Sequence, residues 1–282
     1  MVDIDGYRSA IRGMGLSDAV ADWWLGLNRP GVILGPDVDG PAAGHLGGVH
    51  LLPSGVAWPE PLTFIASVDC AALPRDGLDS GFPTAGNLLF FAGLDIDGSA
   101  CQVIHVPPGT PVAPVADRDP QASAGAAQRS LKRQELRARA GLTFQGTEHG
   151  YPGQIEVEHA TDERTLTALA ELATPCTEHF IYEVDGPPYF ITEETVEFLA
   201  ELTAIPGDDG AVFQVCGRPY AIQFDPEAAR KPEGSWILLA QLFLWLVDAP
   251  DLFGDIAWWL IRREDLAAGR FDRVEIETSL GG

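Results

Sequence analysis

The chain has 282 residues, 46% of them hydrophobic and 21% charged, and its 18 basic and 41 acidic residues leave a formal net charge of −23. Such a length and apolar content exclude a disordered chain and allow one large domain or two closely joined ones. The acidic excess argues against nucleic acid or an anionic membrane as partner.

In chain order, residues 5–14 read as a weak helix. Residues 17–27, "SDAVADWWLGL", read as a better one, with Ser17 as N-cap and Val20, Trp23, Trp24 and Leu27 at helical spacing. The Gly/Pro-rich stretch that follows reads as loops around a short strand at residues 32–34. "LTFIASVD", "GNLLFFAGLD" and "SACQVIHV" read as strands bounded by turn residues. The second is apolar on consecutive positions, as in a strand covered on both faces.

Residues 110–127 read as a long connection. "RSLKRQELRARAG", with Arg129, Lys132, Arg133, Arg137 and Arg139 against Glu135 alone, reads as a solvated basic helix. "TDERTLTALAELAT" and "TEETVEFLAELTAI" have the pattern of amphipathic helices, the second capped by Thr192, and "EHFIYEV" between them has that of a strand. "AVFQVCGRPYAIQFD" reads as strand, turn, strand, before the apolar "SWILLAQLFLWL" and "GDIAWWLIRREDL". The apolar run at residues 236–247 is about half of the roughly 20 residues that span a bilayer. With a polar N-terminus as well, the expected location is the cytoplasm.

Clustered strands with helices between them predict an α+β fold with largely antiparallel sheets and packed helices. An internal echo, "FIAS" before "GNLLFF" and "LLAQ" before "GDIAWW", predicts two related halves, about 44–110 and 175–276, joined by a partly helical connection. Residues 1–43 read as an N-terminal helical segment.

Signatures of chemistry are sparse. Cys70, Cys101, Cys176 and Cys216 lie far apart in sequence and read as buried reduced thiols. His45, His50, His105, His149, His159 and His179 form no H-E-x-x-H, and the chain carries no G-x-S-x-G, Walker or dinucleotide fingerprint. No metal, cofactor or catalytic residue is therefore expected. The seven tryptophans read as core, with Trp258 and Trp259 facing opposite sides of one strand.

The order and spacing of "GGVHLLPSGVAWP", "PLTFIASVD", "FPTAGNLLFF", "GRPYAIQFD", "ILLAQL", "FGDIAWWLIRREDL" and "RFDRVEIE" resemble the YwqG-like family, a bacterial domain of unknown function, over about residues 44–276. Gly47, Gly48, Leu52, Pro53, Trp58, Pro59, Phe82, Pro83 and Gly86 fall on its first-half pattern, and Gln223, Gln241, Gly254 and Asp255 on its second. Phe253 stands in place of a Trp, and Ser67 in place of a Gln. The resemblance implies an α+β fold and supplies no mechanism. Its motif positions, together with Asp225, make Trp58, Gln223, Asp225, Gln241 and Asp255 the candidate binding residues.

The charge is concentrated. Residues 152–210 hold fourteen Asp or Glu against one Arg. The expected function is a non-catalytic binding protein that engages a basic protein partner through this acidic surface, as an immunity protein or antitoxin would. The alternative is a small-molecule binder or an enzyme with a cleft between the two halves.

Overall fold

The computed structural model describes residues 2–48, 51–95, 98–114, 131–143, 173–175, 189–191, 210–220, 225–230, 232, 235–248 and 254–279. In chain order its elements are α1 (Ile4–Gly13), α2 (Asp18–Leu27), β1 (Arg29–Gly35), β2 (Ala42–Leu46), β3 (Leu51–Pro53), β4 (Thr63–Asp69), β5 (Asn87–Asp95), β6 (Gly98–Val106), β7 (Val112–Pro114), β8 (Gln134–Thr143), β9 (Ala173–Pro175), β10 (Tyr189–Ile191), β11 (Phe213–Val215), β12 (Trp236–Phe243), β13 (Ile256–Arg262), α3 (Arg263–Ala267) and β14 (Glu275–Ser279).

Ten strands form one antiparallel sheet in the order β14-β13-β12-β11-β1-β8-β2-β4-β5-β6. The sheet curls until its two edge strands meet, and the Cys101 thiol on β6 donates to the Val274 carbonyl at the foot of β14 (3.5 Å). Inside, Phe90 of β5 packs edge-on against both Phe213 of β11 and Trp259 of β13, with ring centroids 5.3 and 5.6 Å apart. All ten strands contribute to this one apolar cluster.

The α+β expectation is thus overturned, because the fold is a nearly closed antiparallel barrel. Consecutive apolar positions do mean strands covered on both faces, but helices are not what covers them. The inner face closes on itself, and loops with the short strand β3 cover most of the outer face, a single helix pair packing at the end of β8. Trp58 and Leu52 lie over Phe64, Leu89 and Phe91 at one end of the sheet, and Tyr220 lies over Trp236, Leu238 and Trp258 at the other. The α1–α2 pair packs Ile11, Val20, Trp23 and Trp24 with Leu142 of β8. Ser17 caps α2 by accepting from Val20 N.

The basic stretch is likewise a strand rather than a helix. In β8, Leu136 and Ala138 are buried in the barrel while Glu135 and Arg137 are exposed, a period of two masked in sequence by the run of charge. The Gly/Pro-rich stretch holds β2, with Ala43 and Leu46 pointing inward. Residues 173–175, the first two of which read as the end of a helix, pair with β10 as a strand. The rest of the two acidic helices, the strand between them and the "AIQF" strand lie outside the described residues. β1 comes from the segment ahead of residue 44 and sits in the middle of the sheet between β11 and β8.

Two strand pairs correspond closely. β4 and β12 each carry a bulge against the next strand, between Phe64 and Ala66 and between Leu238 and Ala240. Ala66 pairs with Phe90 and Ala240 with Trp259, so the match runs one residue off the echo drawn from sequence, which set Phe91 against Trp259. Trp259 therefore faces the barrel interior and Trp258 the outer cluster, and both are fully buried.

Candidate functional site

The densest buried polar network among the described residues holds the turn at residues 216–220, which leaves β11. Gln214 on β11 pairs with Gln241 on β12, and both point to the outer face, 3% and 0% exposed. Gln241 Nε2 donates to Gln214 Oε1 (2.8 Å), and Gln241 Oε1 accepts from Tyr220 N (3.0 Å). Gln214 Nε2 donates to the carbonyls of Cys216 and Arg218, both at 2.8 Å. Arg218 N donates to Thr143 Oγ1 (2.7 Å), and that hydroxyl donates to the Arg29 carbonyl (2.8 Å). Trp258 Nε1 closes the set on Tyr220 O (3.2 Å). Buried amides impose such a geometry because each unpaired group would cost about 1–3 kcal/mol.

The network sets two guanidinium groups beside each other. Arg29 Nη2 donates to both carboxylate oxygens of Glu227 at 2.6 Å, and Glu227 also accepts from Leu238 N at 2.8 Å. Burial raises the Glu227 carboxyl above its ordinary range, against the pull of Arg29. Arg218 Nε donates to the Leu27 carbonyl at the end of α2 (3.1 Å). Burial, with repulsion from Arg29, lowers its pKa.

The residues singled out from sequence take separate places. Gln241 is central to the network. Asp225 caps the turn that delivers Glu227, its carboxylate accepting from Glu227 N (2.8 Å) and Ala228 N (3.3 Å). Asp255 joins β12 and β14 through its backbone, its N–H donating to Ser279 O and its carbonyl accepting from Leu244 N. Trp58 is half-buried at the other end of the sheet, with Nε1 donating to Leu62 O (2.8 Å) and its ring edge-on to Phe91 at 5.2 Å. Gln223 lies outside the described residues. Sequence reasoning passed over Arg29, Thr143, Gln214, Arg218 and Glu227. "GRP" reads as an ordinary turn, and only the strand register brings these residues together.

Other reactive groups are held quiet by their surroundings. Burial pushes the Cys70 and Cys101 thiols up to about 12, with Asp69 and Glu275 adding to the effect, and pushes Cys216 up as well, helped by Asp79. His45 Nδ1 donates to Gly47 O (2.9 Å), and burial lowers the pKa of its ring. Among the described residues, no three His, Cys, Asp or Glu side chains are grouped to hold a metal ion.

A family model described as Domain of unknown function (DUF1963) matches residues 44–278. No curated protein matches the chain.

Proposed function

This chain belongs to the DUF1963 family, a domain of unknown function, and on that premise we propose that it is a binding protein whose acidic surface engages a basic protein partner. The observation that carries this reading is the charge, −23 overall, with fourteen acidic residues against one Arg in residues 152–210. The ion pairs support it. Arg8 pairs with Asp22, Arg12 with Asp18, Arg29 with Glu227, Arg230 with Glu275 and Glu277, and Arg270 and Arg273 with Asp265. Six of the 18 basic residues are thus paired within the fold, and the 41 acidic residues leave a large excess for solvent or a partner. The resemblance to the YwqG-like family favours a specific form of the reading, neutralisation of a basic toxin in the cytoplasm. No helix among the described residues is long and apolar enough to cross a membrane.

The test is calorimetric titration with the basic proteins encoded beside this gene, at low and at moderate salt. Binding that weakens as salt rises supports the reading. Binding indifferent to salt, or none, counts against it.

A further inference from the structure

We propose that Arg218 is a receptor for the carboxylate group of a small organic acid, at the end of the barrel where α2, β1 and the turn at residues 216–220 meet. The proposal does not depend on the protein-partner reading.

Three almost fully buried polar side chains fix this one residue. Its N–H is held by Thr143 (1% exposed), its carbonyl by Gln214 (3%), and Gln214 in turn by Gln241 (0%). The turn they hold includes Cys216 at φ 56°, a left-handed conformation that costs a non-glycine residue about 1–2 kcal/mol. So much buried polarity spent on the backbone of one half-buried cation preorganises that cation.

The guanidinium at the end of it is under-used. Of its five N–H donors, Nε meets the Leu27 carbonyl, and among the described residues no carboxylate lies within ion-pair distance of it. In a chain with 41 Asp and Glu this is not for want of carboxylates. The two nearby acids are already committed, Glu227 to Arg29 and Leu238 N, and Asp225 to the turn that follows it. Arg29 Nε is also buried without a partner, a second unmet donor in the same cluster.

The chemistry selects the ligand class. The two terminal nitrogens of Arg218 present the planar fork that a carboxylate matches in a bidentate pair. A doubly charged phosphate would be opposed by Glu227, Asp225 and the net charge, with a single unpaired guanidinium to hold it.

The experiment titrates the full-length chain with acetate, benzoate and succinate, and separately with inorganic phosphate, at matched ionic strength. Thermal unfolding and the guanidinium Nε–H resonances in 1H–15N spectra are followed. The expected result is a saturable rise in Tm with the carboxylates, a shift of the Arg218 Nε–H signal, and apparent affinity weakened at least about tenfold in Arg218→Gln. Arg218→Lys, which keeps the charge but loses the fork, should also bind more weakly, and it serves if Arg218→Gln does not fold. No saturable response, an unmoved Arg218 signal, an equal response in either folded variant, or saturation by phosphate at lower concentration than by any carboxylate would overturn the assignment.

Discussion

The two ends of the sheet solve the same packing problem with different chemistry. At one end β2 pairs with β4, and at the other β11 pairs with β12, with His45 opposite Ser67 in the first and Gln214 opposite Gln241 in the second. Each inner strand leaves through a left-handed pair, Gly47 and Gly48 at φ 53° and 84°, Cys216 and Gly217 at 56° and 82°. Each pair starts with an N–H that donates to the bulge residue of the next strand, Gly47 to Ile65 and Cys216 to Leu239. Each turn is also gripped from two residues back, by the His45 ring on Gly47 O and by the Gln214 amide on Cys216 O. Beyond that grip they diverge. The first end covers its outer face with the apolar corner built on Trp58, and the second with a polar network that ends in two arginines. Where backbone geometry is matched and side chains differ, the difference is not required by the fold, and it points to the second end as the place with a further task.

The comparison can be broken most sharply at Gly47. A Cβ there would sit 2.1 Å from the Leu131 carbonyl oxygen, at a backbone φ that disfavours any side chain. Gly47→Ala should lose about 4 kcal/mol or fail to fold, as read by urea unfolding. Retention of stability to within 1 kcal/mol would mean that the first turn is not built as described. Next in size, Gln241→Leu strips Tyr220 N and Gln214 of their partner in a buried setting. It should cost about 3 kcal/mol, against less than about 1 kcal/mol for Ser67→Ala at the matching position. Equal costs would erase the contrast between the polar and apolar ends.

A third effect is shared by both ends, since each buries a thiol, Cys70 or Cys216. Folding raises these thiol pKa values, so the protonated form is favoured in the native state. The stability they contribute is whole below the unfolded thiol pKa and is lost as pH rises. From about pH 9 upward, the unfolding free energy from denaturant titration should fall, by about 1.4 kcal/mol per pH unit for each fully buried thiol, until the native group titrates. For Cys70 that limit is about 12. Cys70→Ala should remove one such slope, and an unchanged alkaline profile would speak against a buried protonated thiol. The smallest effect is expected for Cys216→Gly, where relief of the left-handed strain, about 1 kcal/mol, offsets most of the lost side-chain packing. Stability within about 1 kcal/mol of the parent, against the collapse of Gly47→Ala, would show that the two turns share a backbone but not a neighbour.

Much of this frame was legible in the chain. The strands β4, β5, β6, β12 and β13 announce themselves as short aliphatic and aromatic runs between turn residues, and Ser17 marks the start of α2. β8 was not, because Leu136 and Ala138 are small markers among Arg133, Arg137 and Arg139, and charge at that density reads as a solvated helix. Of the polar network, Gln241 could be named from the family pattern, while Gln214, Thr143 and Arg218 could not. They lie 27, 98 and 23 residues from Gln241 in sequence, and only the register of four adjacent strands, β12, β11, β1 and β8, brings them together.

By itself, then, the sequence determined what local chemistry can carry: which runs are strands, where helix α2 begins, that the surface is acidic, and that Trp258 and Trp259 point apart. Those follow from side-chain periodicity and composition, properties of neighbours in the chain. The tertiary structure alone decided that the sheet curls into a barrel instead of lying under helices, that the repeated strand pair is offset by one residue, and that Arg218 stands beside Arg29 and Glu227. Each of these depends on hydrogen-bond register between strands distant in sequence, and register is fixed only when the whole inner face is packed.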